Sequence, residues 1–319
     1  MIDATATFLI VTHAGCDLLR RFLDRYEDND FQFIIFVDAK ADDRPFRELA
    51  SEFRNVEIFM ERRPVYWCGY SFISAFLLLM ERYLDRGLHS RYVFLLSGSC
   101  YPLLPPQEMR RRIADAPQHM VSFEGSINSI PRKRDFVRRY HFHDNAILSS
   151  RHQLTSVPLR VLRWALRPMA RLLTQHLPER SIEYVKAGDV FLGSAWWGIS
   201  NDTFVSLSDF LAERPEFLRG FHMTAVPEEF LVQTALVEAG IVPAEEIRSR
   251  SSDMIGRRVF GSHFIDWGTR SDSPRVLTES DAVDASSSGA LFARKVILPE
   301  SAEFVAAVDA LGDRAYGGC

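Results

Sequence analysis

Residues 8–40, FLIVTHAGCDLLRRFLDRYEDNDFQFIIFVDAK, decide the architecture. Residues 8–12 (FLIVT) and 33–37 (FIIFV) are unbroken apolar runs rich in aromatic and branched side chains, the pattern of strands covered on both faces. Between them Leu18, Leu19, Phe22, Leu23 and Tyr26 recur at steps of one, three and four, so residues 17–26 read as an amphipathic helix packed on the sheet. Strand, helix and strand in that order make a βαβ unit.

The same rhythm continues outward, with a helix at 45–53, a strand at 56–60, a long apolar helix at 71–84 and a strand at 92–96. Such alternation predicts an α/β fold, Rossmann-like, with a mostly parallel sheet and helices on both faces. Ligands on these sheets collect at the carboxyl ends of the strands, here the loops after Thr12, Val37, Met60 and Leu96. Farther on, residues 190–200 read as a strand, 227–239 as a helix, 248–284 as a polar stretch and 301–311 as a last helix. Between the halves, residues 131–180 hold eleven Arg or Lys against three acids, a net charge of +8. We expect one domain over 1–319, with a nucleotide-binding half (1–125), a basic helical insertion (126–185) and an acceptor and catalytic half (186–319).

Composition bounds the rest. The 319 residues carry 42 acids and 38 Lys or Arg, a net charge of -4, so nothing marks a nucleic-acid-coating protein. A hydrophobic share of 47% suffices for a large core and argues against disorder. No apolar run approaches the roughly 20 residues of a membrane span, and residues 1–7 lack a secretory signal, which points to the cytoplasm. Cys16, Cys68, Cys100 and Cys319 are scattered, as expected of free thiols in a reducing compartment.

Candidate chemistry has competing plain readings. Glu228-Glu229 after Pro227 is a good helix start, and equally a place where a carboxylate at a helix end could serve as general base. Arg294-Lys295 is either one buried stem and one solvated cation or a guanidinium and ammonium suited to a diphosphate. Asp38 and Lys40 follow the second strand, as a solvated turn or as ligand contacts. Trp67 is core packing or a stacking platform for a sugar, Gly69 permits close backbone approach, and Ser71 is a candidate N-cap. His13 ends the first strand; His141 and His143 alternate in the basic run, lack a third ligand and read as surface residues. The acid-x-acid motif Asp28-Asn29-Asp30 precedes the second strand and reads as a helix-ending turn, not a metal site. No GxSxG, Walker loop or GxGxxG is present.

Taken in order, FLIVTHAG, FVDAK, VYWCGYS, FLLSGSCYPL, GSAWWGIS, VPEEFLVQTAL, HFIDW and ALFARKV resemble the core-2/I-branching β-1,6-N-acetylglucosaminyltransferase and peptide O-xylosyltransferase family, over about residues 8–296. The resemblance implies a GT-A-type fold that binds a UDP-sugar as co-substrate without metal or other cofactor and transfers the sugar with inversion to a glycan or glycolipid hydroxyl. It makes Glu229, the second acid of Pro-x-Glu, the base, with Glu228 at the variable middle position. It assigns Arg294 and Lys295 to the diphosphate, Asp38 to uridine, and Thr12 and His13 to the neighbouring strand end. Arg275 or Arg270 adds a further charge there, and Ser97 and Trp196 lie in matching segments. Trp67 and Gly69 match the family's WGG loop, with Cys68 in place of its first glycine, and Cys100 stands where the family usually has aspartate. Lacking an anchor and lumenal disulfides, the chain reads as a cytoplasmic, bacterial member. Arginines at 160, 163, 167 and 171 make residues 158–173 a cationic amphipathic stretch suited to an anionic membrane face, or simply a surface helix kinked at Pro168. The alternative from another class is a glycan- or nucleotide-binding protein that keeps the fold without turnover.

Overall fold

A computed structural model describes residues 4–149, 152–180, 185, 189–248, 258–268 and 273–316. Arg270 and Cys319 lie outside them. The chain begins β1 (Ala4–Thr12), α1 (Cys16–Arg25), β2 (Phe31–Val37), α2 (Arg44–Ser51), β3 (Val56–Phe59), α3 (Ser71–Asp85) and β4 (Ser90–Ser97), the alternation its apolar pattern predicts. It continues through β5 (Tyr101–Pro102), α4 (Pro106–Ala114), β6 (His119–Met120), β7 (Gly125–Ser126), α5 (Pro131–Arg138) and α6 (Val157–His176). Then follow β8 (Phe191–Leu192), β9 (Trp197–Ser200), α7 (Asn201–Glu213), α8 (Pro215–Gly220), a 3-10 turn (Pro227–Glu229), α9 (Leu231–Glu238) and α10 (Ala244–Arg248). The last elements are β10 (Val259–Phe260), β11 (His263–Ile265), α11 (Ala282–Ser287), β12 (Phe292–Arg294) and α12 (Ala302–Tyr316).

The main sheet has the order β3-β2-β1-β4-β9-β6. β3, β2, β1 and β4 run parallel, and β9 and β6 close the edge antiparallel. Because strand side chains alternate, Leu9, Val11, Ile34, Phe36, Val93 and Leu95 join the core under α3. Phe8, Ile10, Phe33, Ile35, Phe94 and Leu96 join the core under α1. Both faces are thus covered, which explains the unbroken apolar runs. A smaller sheet, β10-β11-β12-β5, stands beside the main one. Phe292 of β12 docks it there, with its ring 5.9 Å from Phe8 and 5.2 Å from Phe94.

Three local expectations are corrected. Residues 190–200 form two strands in different sheets, parted at Gly193, which passes so near the Ser122 carbonyl that a Cβ would sit 1.8 Å from it. Residues 227–239 divide into the 3-10 turn and α9, broken at Phe230 (φ -123, ψ -38). Ser71 is the first residue of α3 and not its cap; its hydroxyl accepts from the Tyr66 amide and donates to Asp144. Asp28 and Asp30 both accept from Arg110. α6 runs through Pro168 as one helix of 20 residues, and among the described residues no helix is long and apolar enough to cross a membrane.

Phe8 is fully buried and meets six aromatic rings, so truncation leaves a cavity that rigid neighbours cannot fill. Phe8→Ala is expected to cost about 3–5 kcal/mol in urea unfolding, and a loss below about 1 kcal/mol would show that the cluster does not hold the sheets together.

Candidate active site

The strand order places a switch point between β1, whose connection leads one way along the sheet, and β4, reached by the return crossover. The two strand ends are stitched: Gly98 N donates to the Val11 carbonyl at 3.2 Å, and a Cβ on Gly98 would lie 2.0 Å from the Thr12 hydroxyl. Thr12 is buried and donates to the Ala14 carbonyl at 2.7 Å, so its hydroxyl shapes the loop. At the next strand end Asp38 is 5% exposed and is no solvated turn. Its carboxylate accepts from the amides of Lys40 (2.9 Å) and Val65 (3.3 Å) and pairs with the Lys40 ammonium. His13 lies within the field of Asp38, Lys40, Lys295 and Arg294. Partial desolvation together with the three cations outweighs Asp38 and lowers its pKa, favouring the neutral ring. Two cations from residues 294–295 therefore gather with groups from residues 13–40.

Register explains how Arg294 gets there. β12 pairs antiparallel with β5, Ala293 opposite Tyr101, which carries Arg294 to the level of Cys100 in the turn that ends β4. Its guanidinium donates to the hydroxyls of Ser97 and Ser99, the latter at 2.6 Å, and lies 4.5 Å over the Trp196 ring. Among the described residues no carboxylate is within ion-pair distance of Arg294, although the group is half-buried and desolvation depresses its pKa. Cys100 is 3% exposed and turns its thiol toward Ser97, so it shapes this turn from within. Behind Arg294 the ring of His263 stacks on Phe292, and burial followed by the Arg294 charge pushes His263 down to about 3. Arg275 is committed elsewhere: it forks onto Asp281 at 2.6 and 3.0 Å and reaches Asp266 at 2.7 Å. Leu277 N bonds the Lys295 carbonyl at 2.9 Å, so the Arg275 clamp buttresses the strand that ends in the two cations.

A second group of residues gathers around the turn at Pro227–Glu229. Val226, just before it, adopts φ 47, a left-handed conformation that is strained for a β-branched residue. Its amide donates to the Cys68 carbonyl at 3.0 Å, and His143 Nε2 donates to the same oxygen at 2.7 Å. Cys68 is itself left-handed at φ 64, which is the physical reason a glycine suits that position. Gly69 is required by contact, since a Cβ would lie 2.0 Å from Asp144 Oδ1. Asp144 accepts from the Ser71 amide at 3.0 Å and from the Ser71 hydroxyl. His143 is thus a half-buried brace and not a surface histidine; His141, also half-buried, bonds the Asp135 carbonyl. Trp67 projects beside this junction, 40% exposed.

Glu229 Oε2 accepts from Lys133 of α5 at 3.1 Å, and its side chain is 22% exposed. Burial raises the Glu229 pKa and Lys133 pulls it back. Glu228 has no such partner: its Oε2 is buried without a hydrogen bond, and burial, with Glu229 and Asp144 near it, pushes the group up to about 8. The turn connects to the Arg294 side through the backbone. Gly193 N donates to the Glu229 carbonyl at 2.8 Å, and Trp196, on which Arg294 stacks, is three residues farther, at most about 10 Å of chain.

Sequence reading did not single out Lys133, Asp144, Ser99 or Val226. Lys133 and Asp144 lie in the basic run, where no local pattern separates a site residue from its solvated neighbours, and the backbone of Val226 carries no compositional mark. Among the described residues no three His, Cys, Asp or Glu side chains converge on a point that could hold a metal ion.

Cations thus gather at the switch-point end of a parallel α/β sheet, and a carboxylate held by lysine stands at the Pro227–Glu229 turn. The family model for Core-2/I-Branching enzyme matches residues 6–284, and the chain belongs to that family. It is therefore a glycosyltransferase with a GT-A-like fold, acting with a nucleotide-sugar donor and a glycan acceptor. No match was found among curated proteins.

The Glu228 shift has a consequence for stability. A carboxyl raised from 4.5 to about 8 on folding favours the native state fully below pH 4.5, and that contribution is lost as pH rises through 8. The urea midpoint of the natural protein is expected to fall more between about pH 5 and 9 than that of Glu228→Gln, which stays neutral; parallel falls would contradict the burial of this acid.

Proposed function

We propose that this glycosyltransferase moves a sugar from a UDP-sugar to a hydroxyl of a glycan or glycolipid, with inversion and without a metal ion. UDP-N-acetylglucosamine is preferred over UDP-xylose or UDP-glucose, on the breadth of the family alone. The reading includes a bacterial setting in polysaccharide biosynthesis and peripheral contact of residues 158–173 with an anionic membrane. The observation that carries it is the guanidinium of Arg294, half-buried at the switch point and lacking a carboxylate partner among the described residues. A cation so placed favours an anionic ligand, and a sugar diphosphate supplies one.

In this mechanism Asp38 binds the uridine, Lys40 and His13 line its entrance, and Arg294 and Lys295 take the diphosphate. Ser97 and Ser99 fix the guanidinium plane, and Trp196 supports it from one face. Negative charge grows on the leaving diphosphate as the glycosidic bond breaks, and two pre-set cations stabilise it without reorganisation. On the opposite side Glu229 takes the proton of the acceptor hydroxyl as its oxygen attacks the anomeric carbon. Burial raises the Glu229 pKa, which favours proton uptake from the acceptor, and Lys133 offsets part of that rise and orients the carboxylate. Trp67, exposed beside the turn, offers its face to the acceptor, while Cys68, Gly69 and Asp144 set the loop that carries it.

Glu229→Gln is expected to lower UDP release in the presence of EDTA by about 10²–10⁴-fold while UDP affinity is retained, and turnover near the natural rate would remove Glu229 as base. Lys295→Ala is expected to weaken UDP binding by about 1.5–3 kcal/mol in calorimetry, and unchanged affinity would take Lys295 out of the donor site.

A further inference from the structure

α6 is 20 residues long and buries none of them, which is unusual for a helix so apolar. Its attachment fixes its orientation. Arg163 donates to the carbonyls of Ile147 (2.6 Å) and Ala146 (2.8 Å), Arg167 to that of Ser149 (3.4 Å), and Thr174 to that of Tyr140 (2.7 Å). These residues share one side of the helix, so two of the four arginines are spent on the protein's own backbone. At 100° per residue, positions 157, 161, 164, 168 and 172 fall about 80–160° round from these anchors, on one outward flank of the helix. Val157 is 64% exposed, Val161 60%, Trp164 79% and Leu172 56%, and no charged residue interrupts that face. On one shoulder lies a shallow groove of about 460 Å³ lined by Arg160, Arg163, Trp164, Arg167, Pro168 and Arg171.

We propose that this uncharged face of α6 seats in the interfacial layer of a bilayer bearing anionic lipid. Trp164 lies at headgroup depth, and Arg160 and Arg171 are paired with lipid phosphates. The inference rests on the membrane contact named under the proposed function and refines its geometry: apolar side chains enter the bilayer, and the arginines line one edge of them. Apolar area and a cationic edge together are what bind an interfacial helix. A second copy is the poorer occupant, because self-pairing would bring the same arginine-lined groove near its equivalent, whereas an anionic surface complements it. Residues 140–149, on which α6 rests, also carry His143 and Asp144, the braces of the loop beside Glu229. Docking through α6 is thus joined to the loop beside Glu229 through residues 140–149.

Flotation of the full chain with phosphatidylcholine vesicles, with and without phosphatidylglycerol, tests this. Binding is expected only with the anionic lipid. It should fall about a hundredfold in the triple variant Val161→Asp, Trp164→Asp, Leu172→Asp, whose positions are exposed and leave the fold intact. Arg160→Glu with Arg171→Glu should weaken binding and flatten its salt dependence. UDP release from a UDP-sugar, measured without vesicles, should be unchanged in both variants, which separates failure of docking from failure of the enzyme reading. Absence of flotation overturns membrane contact altogether. Flotation that survives in the aspartate variant but is lost in the glutamate variant overturns insertion of the apolar face. A dimer in sedimentation, without flotation and abolished by the aspartate variant, overturns the bilayer as occupant in favour of a second copy.

Discussion

A half-buried guanidinium without a carboxylate among the described residues is costly to hold, and the placement of Arg294 is the constraint around which the site is organised. The protein surrounds it with two serine hydroxyls and the face of Trp196, which orient the charge without neutralising it. Holding it there requires β12 to run against β5, and β5 follows directly from the end of β4. The aromatic cluster between Phe8, Phe94 and Phe292 supplies the burial that keeps the small sheet in that position. An aspartate at the position of Cys100 would place a fixed counter-ion in the turn beside Arg294, where the thiol supplies only a weak partner.

The other half of the site depends on backbone strain held by hydrogen bonds. Cys68 and Val226 both occupy left-handed conformations, and the Cys68 carbonyl is shared between the Val226 amide and His143. Two strained residues in one junction persist only because the surroundings determine them, and Asp144 contributes by filling the space that a side chain on Gly69 would need. The arrangement joins the Trp67 loop to the Glu229 turn as one unit. Glu228 and Glu229, adjacent in sequence, are thereby given opposite circumstances, one with a buried oxygen that makes no hydrogen bond and the other paired with Lys133.

The basic run shows the limits of charge as a guide. Eleven cations against three acids give residues 131–180 a net charge of +8. Folding separates them. Lys133 meets Glu229, Arg163 and Arg167 hold α6 to backbone carbonyls, and Arg160 and Arg171 remain at the helix shoulder.

The sequence by itself determined the parallel core, because strands covered on both faces must be apolar at every position and crossover helices must be apolar on one stripe. It also marked Asp38, Glu229, Arg294 and Lys295 as candidates, through residue types and motif order that are visible before folding. The tertiary structure decided what those groups meet. Lys133, Asp144 and Ser99 reach the site through pairings across 96, 73 and 195 residues of chain, and no local pattern encodes such distances. It alone decided that Cys100 faces inward, that Arg275 is held by Asp266 and Asp281, and that the outward face of α6 is apolar, since each depends on which neighbours a side chain finds once the layers have packed.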